Sequence, residues 1–316
     1  MTVGNRLTTP PDQQELYLGD TYCCWPTPPM ASDWQVALQG LVLGKNSEWC
    51  ITAISGLGLP GTRADDVPNT FLHGTSALGD FSEGRAITVE VTGKFADSAI
   101  AWDKLRQLAG VWQPNVWDQP LRIRATGDRS LIAIGHPRRL AENTSGLYRG
   151  IVRATLEFYA DDPRLYETAV TRELINIDPA NDEAGYCFDT GLPGGSFCIP
   201  DTTGICIPRG ISGSRVITNE GNTRTAPIIV VVGNATNIRA ENARTGQWWE
   251  WEGTTGSGEF WMDHLFRTCT LDDAAVYQNL KVGSTFWWLD PGDSLVNIRV
   301  DSGSAYSEVR FRSAWF

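Results

Sequence analysis

The side chains most able to do chemistry are few and scattered. The 316-residue sequence contains three histidines, His73, His136 and His264. None lies near a Gly-x-Ser-x-Gly nucleophile elbow or in a His-Glu-x-x-His metal motif. Each stands beside turn-forming residues, and His136 precedes Pro137, which is typical of a strand end. We therefore interpret all three as turn residues and predict no catalytic residue.

Acidic pairs are the second kind of candidate. Adjacent carboxylates occur at Asp65-Asp66, Asp161-Asp162 and Asp272-Asp273. Glycoside hydrolysis uses two carboxylates, but neighbouring residues of a strand point to opposite faces and make poor acid-base partners. We interpret the pairs as surface turn residues and predict that the protein is not an enzyme.

Metal and nucleotide sites are also not indicated. Cys187, Cys198 and Cys206 are separated by ten and seven residues, which does not match the close Cys-x-x-Cys pairs of zinc sites. No phosphate-binding Gly-x-x-x-x-Gly-Lys sequence occurs. We predict no metal and no cofactor, and we expect the seven cysteines to remain thiols under reducing conditions.

Tryptophan is unusually abundant, with 13 residues. In Trp248-Trp249-Glu250-Trp251, strand alternation places Trp249 and Trp251 on one face and Trp248 on the other. We favour a sandwich core for the first face. Trp248 is left to anchor a protein partner, since tryptophan is enriched at interface hot spots, or to stack on a sugar.

The elements that position these residues are mainly β-strands. Alternating or β-branched runs predict strands at 34–38, 50–54, 87–91, 121–125, 131–134 and 148–158. One helix is expected, capped by Asp97 or Ser98 and ended by Gly110. Its apolar face would consist of Ile100, Leu105 and Leu108. The sequence therefore predicts an all-β fold with one helix in its N-terminal domain.

Length and composition suggest two β-domains with two irregular segments. Residues 1–35 are proline-rich and would be extended, draped over a neighbouring surface or disordered. Residues 36–170 and 216–316 would form the domains. Between them, 171–215 would be a linker whose Gly/Cys/Pro-rich insertion, 178–213, protrudes as a hairpin and contacts a partner without contributing to the core.

The net charge is −11, and the part after Leu165 carries the larger share. Such a surface disfavours binding of the nucleic-acid backbone, which needs clustered Lys and Arg. The longest aliphatic run, Ile228–Val232, is too short to span a bilayer. The polar start of the sequence does not resemble a signal peptide, so we expect folding in the host cytoplasm without membrane insertion.

Turn and strand-end signatures recur in a fixed order. Gly84-Arg85 opens a strand, and Asp162-Pro163 closes another because proline has no N–H to donate. A further turn, Asn219-Glu220-Gly221, leads through Pro227 into a β-branched run. The complete set of turn residues is Gly74, Gly84, Arg85, Asp162, Pro163, Asn219, Gly221, Pro227, Gly233, Gly246, Asp263, Pro291 and Gly292. Gly74 to Gly79 would form the tip of the first turn.

In this order the signatures resemble the distal tail proteins of long, non-contractile tailed bacteriophages, over roughly residues 41–166 and 216–316. The resemblance implies a structural virion protein whose N-terminal domain builds a six-fold ring and whose C-terminal domain is a galectin-like β-sandwich that points outward. The ring would join the tail tube protein to the tip hub, with the tape measure protein and receptor-binding proteins as further partners and a channel left open for DNA. The alternative is a tail-tip protein whose sandwich binds host carbohydrate.

Four apolar side chains are predicted to contact partners in such an assembly. They are Trp25, Trp248, Phe197 and Ile199.

Overall fold

A computed structural model describes residues 30, 32–69, 71, 73–115, 117–127, 129–177, 187–189, 196–198 and 213–316. The chain divides into two compact units, one of residues up to Ala169 together with Ala314–Phe316 and the other of Val170–Ser313. Trp25, Ile199 and the side chain of Phe197 lie outside the described part.

Unit 1 consists of eleven described strands and the helix. The strands are β1 (Gln35–Leu38), β2 (Leu41–Gly44), β3 (Trp49–Ser55), β4 (Thr62–Pro68), β5 (Thr75–Ser82), β6 (Arg85–Lys94), β7 (Gln119–Arg124), β8 (Leu131–Asn143), β9 (Ile151–Ala160), β10 (Leu165–Glu167) and, from the C-terminal residues, β21 (Ala314–Trp315). Nine of them form one sheet in the order β2-β1-β7-β8-β9-β6-β3, with β10 paired to β8 and β21. Among the described strands, β4 and β5 pair only with each other.

The alternation of apolar and polar residues along the strands explains the sheet of unit 1. Ile87, Val89 and Val91 of β6 are buried while the residues between them face outward, as the sequence predicts. The partner strand β9 buries Leu156 and Phe158 in the same core. The all-β fold with one helix is confirmed for the described residues.

The helix extends over Ser98–Val111. Asp97 is the N-cap, and its side chain accepts a hydrogen bond from the backbone N–H of Ile100 at 2.8 Å. The buried face consists of Ala101, Leu105 and Leu108, so the assignment of Ile100 to this face is wrong. Ile100 is 42% exposed, because the spacing 101, 105, 108 follows one helix face and position 100 lies beside it.

The end of the helix also differs from the prediction. Gly110 lies inside it, and the backbone N–H of Trp112 donates to the carbonyl of Leu108. The indole of Trp112 is buried and donates to the carbonyl of Glu157 in β9 at 3.1 Å. Tertiary packing of this side chain therefore carries the helix past its glycine.

The expected strand end at His136-Pro137 is a second correction, because both residues lie inside β8. The pairing of β8 with β9 shifts register between Pro137 and Arg139. Proline is tolerated at such an irregularity, where no ladder N–H is required. This long strand pairs with β7 over residues 131–135 and with β9 over residues 136–143, and the shift lies within the second stretch.

The predicted tip Gly74–Gly79 is too long. Strand β5 begins at Thr75 and contains Gly79, so the turn between β4 and β5 ends at Gly74. Gly74 has φ +99°, a conformation that favours glycine.

Unit 2 is built on two long strands. Its elements are β11 (Thr171–Ile177), β14 (Ser214–Asn219), β15 (Ile228–Asn242), β16 (Gln247–Thr254), β17 (Glu259–Asp263), β18 (Thr268–Leu271), β19 (Ala274–Ala275) and β20 (Gly292–Phe311). The sheet order is β11-β20-β15-β17-β18-β19, with β14 on β20 and β16 on β15.

The two halves of this sheet cover one common core. The first half of β15 pairs with β17 and the second half with β16, while β20 pairs with β15 along almost its whole length. Side chains of both halves belong to one cluster, including Ile229, Ile238 and Phe260. Trp249 and Trp251 are buried in it, which confirms the predicted core face.

Within the predicted insertion, two short strands are described. Strand β12 (Cys187–Asp189) pairs antiparallel with β13 (Ser196–Cys198), and Cys187 lies opposite Cys198. This pair has the form of the predicted hairpin.

The helix cap provides a test of unit 1. We expect Asp97→Ala to destabilise the first helical turn by about 1 kcal/mol, because the N–H of Ile100 loses its acceptor. Hydrogen exchange of the amides in this turn should accelerate about fivefold. Asp103→Ala, at an exposed position of the same helix, is the matched control and should leave these amides unchanged. Equal exchange in the two variants would contradict the capping role.

Candidate functional site: the hairpin arm and its root

The β4–β5 hairpin, residues 62–82, is an exposed element of unit 1, and we call it the arm. All residues of β4 are exposed. Apolar side chains nevertheless lie on the arm, and Phe71 in the turn is 95% exposed. Val67 and Phe81 are about half exposed. Such a surface is typical of a segment that another chain covers.

Internal contacts define the geometry of the arm. The N–H of Asn69 donates to the carbonyl of Gly74 at 3.1 Å, and the hydroxyl of Ser76 donates to the Asn69 side chain at 2.6 Å. The guanidinium of Arg63 lies 5.6 Å from the centre of the Phe81 ring. His73, in the same turn, is exposed, as predicted for a turn residue.

The arm begins and ends at a fixed base, residues 56–61 and 83–85, which we call the root. The N–H of Glu83 donates to the carbonyl of Gly61 at 2.7 Å and closes the hairpin. Arg85 is almost fully buried and binds three carbonyls. Its Nη1 donates to Gly56 at 2.7 Å and to Gly58 at 2.6 Å, while its Nε donates to Pro163 at 2.6 Å.

The root explains four of the predicted turn residues together. Gly84 lies where a Cβ would collide with the Tyr159 hydroxyl, so a larger residue would push the root away from β9. Asp162 accepts hydrogen bonds from Arg164 and from the Tyr166 hydroxyl, which fixes the turn that presents the carbonyl of Pro163 to Arg85. Residues 84, 85, 162 and 163 are far apart in sequence but act at one place.

The electrostatics of the root are those of a buried cation held by neutral oxygens. Burial lowers the pKa of Arg85, and the charge of Asp162 opposes this shift. A guanidinium suits this role because its rigid fork can bind several oxygens at once. The arrangement fixes the geometry of the root.

The predicted turn residues of unit 2 form two further groups, and the first surrounds Asn219. Its amide nitrogen donates to the carbonyls of Thr223 and Leu289, and its oxygen accepts from the N–H of Gly221. Gly292, at φ +84°, is its strand partner. Next to it, the carbonyl of Pro291 accepts from Arg244 at 2.8 Å.

The second group surrounds His264, whose burial was not predicted. Asp263 accepts hydrogen bonds from the N–H groups of Leu265 and Phe266, so the residue after it enters a tight turn. His264 is buried there against the ring of Trp287, with centroids 4.5 Å apart. Nδ1 is 2.9 Å from the carbonyl of Pro227, and Nε2 accepts from the indole N–H of Trp249 at 3.1 Å.

The remaining predicted turn residues belong to neither group, and each is described by its own backbone conformation. Gly246 has φ +69° and lies in the turn between β15 and β16, whereas Gly233, with φ +107°, lies inside β15 and not in a turn. Asp272 and Asp273 are also left-handed, and Asp272 accepts from the N–H of Glu259, which confirms this pair as turn residues.

The tryptophan side chains of unit 2 do not form an open stacking surface. Trp249 and Trp251 are buried. Trp248, Trp261 and Trp288 are partly buried, and each has a guanidinium over its ring at 4.3, 4.9 and 5.1 Å, from Arg239, Arg310 and Arg224 respectively. An aromatic face covered by arginine is not free to stack on a sugar ring.

The hydrogen bonds of the root predict that a conservative substitution of Arg85 strongly lowers the stability of unit 1. We expect Arg85→Lys to destabilise unit 1 by about 3 kcal/mol, because an ammonium group cannot reach all three carbonyls and leaves buried oxygens unpaired. Urea unfolding measures the loss. Arg63→Lys makes the same substitution on the exposed arm and should change stability by less than about 0.5 kcal/mol. Equal stability of both variants would rule out this role of Arg85 in the root.

His264 predicts acid sensitivity. Burial lowers its pKa to about 3, against a hydrogen bond to Pro227 that raises it. As the pH falls below about 6.5, this imidazole is protonated in the unfolded chain but stays neutral in the folded chain. Proton uptake therefore favours the unfolded state, and the stability present above pH 6.5 is lost as the pH falls towards 3. Between pH 7 and pH 5, wild type should lose about 2 kcal/mol more than His264→Gln in denaturant unfolding. His73→Gln is the control and should behave as wild type; an unchanged pH dependence in His264→Gln would contradict the assignment.

Comparison with known proteins concerns the fold. No protein-family model matches the sequence, and no curated protein matches it significantly. Among solved structures, the crystal structure of the SPP1 Dit protein, described as a paradigm of the hub adsorption apparatus in phages that infect Gram-positive bacteria, matches with a TM-score of 0.62 at 12% identity, over 88% of this chain and 98% of that chain.

Two structures of the phage P2 baseplate in its activated conformation also match. The structure with Ca gives a TM-score of 0.45 at 10% identity, over 88% of this chain and 97% of that one, and the structure with Sr gives 0.45 at 10%, over 87% and 96%. The fold assignment depends on the SPP1 protein alone. The resemblance predicted from the turn signatures is thereby confirmed at the level of the fold: this chain has the fold of a phage distal tail protein.

Proposed function

We propose that the protein is a structural component of a phage tail tip, in which copies of unit 1 close a ring through the arm. The observation that carries this proposal is the arm itself, an exposed hairpin with apolar side chains on a rigid root. The fold shared with the SPP1 Dit protein supports the same setting.

The physical argument starts from the stability of the arm. A two-stranded hairpin is marginally stable in water without further packing. Here β4 and β5 pair with each other alone, and β4 is exposed along its length. A second copy that covers Phe71 and Val67 would supply the missing contacts. Because the arm of one protomer would meet a different surface of the next protomer, the same contact would repeat until a ring closes.

The other features of the proposal come from the resemblance. Six copies would join the tail tube protein to the tip hub, with a channel for DNA and the tape measure protein, and unit 2 would offer its surface to receptor-binding proteins. We retain 36–170 as the ring-forming domain and 216–316 as a galectin-like sandwich. An acidic chain suits a channel through which DNA passes without binding.

Two further features bear on this role. No helix among the described residues is long and apolar enough to cross a membrane. The sugar-binding alternative has no support from the partly buried tryptophans of unit 2, because arginines cover Trp248, Trp261 and Trp288. We assign Trp248, with Trp25, Phe197 and Ile199, to protein contacts in the virion.

The arm is tested by Phe71→Ser. Because Phe71 contacts water in the isolated chain, its replacement should leave the melting temperature unchanged. Loss of a buried phenylalanine from the contact between copies should raise the concentration needed for assembly at least tenfold. Light scattering or native mass measurement over a concentration series gives the result.

Val282→Ser removes an equally exposed apolar residue, 97% exposed, from unit 2 and is the matched control. It should assemble as wild type does. Normal assembly of Phe71→Ser would exclude the arm as the contact, and a wild type that stays monomeric at every concentration and in particles would exclude the ring.

A further inference from the structure

Three potential metal ligands of unit 1 meet in the middle of β8, where its pairing partner changes from β7 to β9. Asp118 immediately precedes β7, His136 lies in β8, and Asp161 immediately follows β9. Their ligand atoms all lie within 4.8 Å of one another. The separation of Nδ1 of His136 from Oδ1 of Asp118 is 3.6 Å.

Strand register creates this meeting. Gln119 pairs with Gly135, so the preceding Asp118 lies next to His136. His136 pairs with Tyr159, and Asp161 follows two residues later, just beyond the C-terminal end of β9. A Cβ at Gly135 would collide with the carbonyl of Tyr159, so glycine at this position lets β8 approach β9 closely.

The two carboxylates at this point repel each other. Burial raises the pKa of Asp118 and the charge of Asp161 raises it further, while the contact with His136 opposes the shift. In the described part of the chain, no lysine or arginine forms an ion pair with Asp118 or Asp161. The neighbouring cations have other partners: Arg164 pairs with Asp162, and Arg138 lies 3.8 Å from the Tyr159 ring centre.

We propose that Asp118, His136 and Asp161 bind a divalent transition-metal cation of the Zn²⁺ or Mn²⁺ class. One imidazole nitrogen with two carboxylates suits these cations, whereas Ca²⁺ and Mg²⁺ prefer oxygen ligands alone. Three protein ligands leave coordination positions open to water. A cation here would also offset the repulsion between the two carboxylates.

The position suggests a structural effect of the cation. Asp161 belongs to the same turn as Asp162 and Pro163, which hold the root of the arm. Tyr159 lies beside His136, at 6.2 Å between ring centres, and its hydroxyl approaches Gly84. Binding of a cation would therefore stiffen the turn from which Arg85 receives one of its three acceptors.

Mn²⁺ is the probe of choice, because seven cysteines complicate zinc titration and thiolates are poor ligands for Mn²⁺. Loss of the free Mn²⁺ electron paramagnetic resonance signal should show one saturable site per chain. Zn²⁺ should displace Mn²⁺ at lower concentration than Ca²⁺ does, as expected when an imidazole is a ligand.

Asp118→Asn, His136→Gln and Asp161→Asn should each weaken Mn²⁺ binding at least tenfold. Asp66→Asn removes one exposed carboxylate from the arm and should bind as wild type. Asp161 is itself exposed, so Asp161→Asn should keep the wild-type melting temperature in the absence of metal. The proposal is overturned if wild type shows no saturable site, if the three variants bind like Asp66→Asn, or if Ca²⁺ displaces Mn²⁺ as well as Zn²⁺ does.

Discussion

The organisation of unit 1 depends on one buried guanidinium. Arg85 joins the segment that leaves β3, the start of β6 and the turn after β9, because its fork donates to carbonyls of Gly56, Gly58 and Pro163. A buried charge without a carboxylate in contact is costly, so its carbonyl acceptors have to be held in place. Asp162, through Arg164 and Tyr166, does this for one of them. The arm is exposed, but its direction is fixed at the base.

Long strands that change partners serve both units. In unit 1, β8 pairs with β7 and then with β9 across the irregularity at Pro137, and the same strand carries His136 to its position. In unit 2, β15 pairs with β17 and then with β16 while β20 continues beside it. In unit 2, a strand that serves two neighbours in turn lets the two halves of the sheet cover one common core.

Sequence patterns predicted which strands and which helix form better than they predicted where these elements begin and end. Alternation identified β6 and the face of Trp249 and Trp251, because burial on one side of a strand leaves a period of two in the sequence. Predictions from local sequence were wrong where tertiary contacts decide the outcome. The buried indole of Trp112 extends the helix past Gly110. The irregular pairing of β8 with β9 accommodates Pro137 inside β8. The sequence identified the turn residues of the root one by one, but it did not predict that they come together around Arg85. Asp118, His136 and Asp161 lie in or next to three different strands, so no local spacing relates them.

The strand β21 has a consequence for synthesis of the chain. Unit 1 includes Ala314–Trp315, which pair with Leu165 and Tyr166 of β10, and the whole of unit 2 lies between these partners in the sequence. On a ribosome, β10 emerges about 150 residues before the strand that covers it, which at typical elongation rates is on the order of ten seconds or more. During this interval the edge of β10 is open, and unit 2 has time to fold before unit 1 is complete. The sheet of unit 1 can therefore not be completed before residues 314–315 have been synthesised.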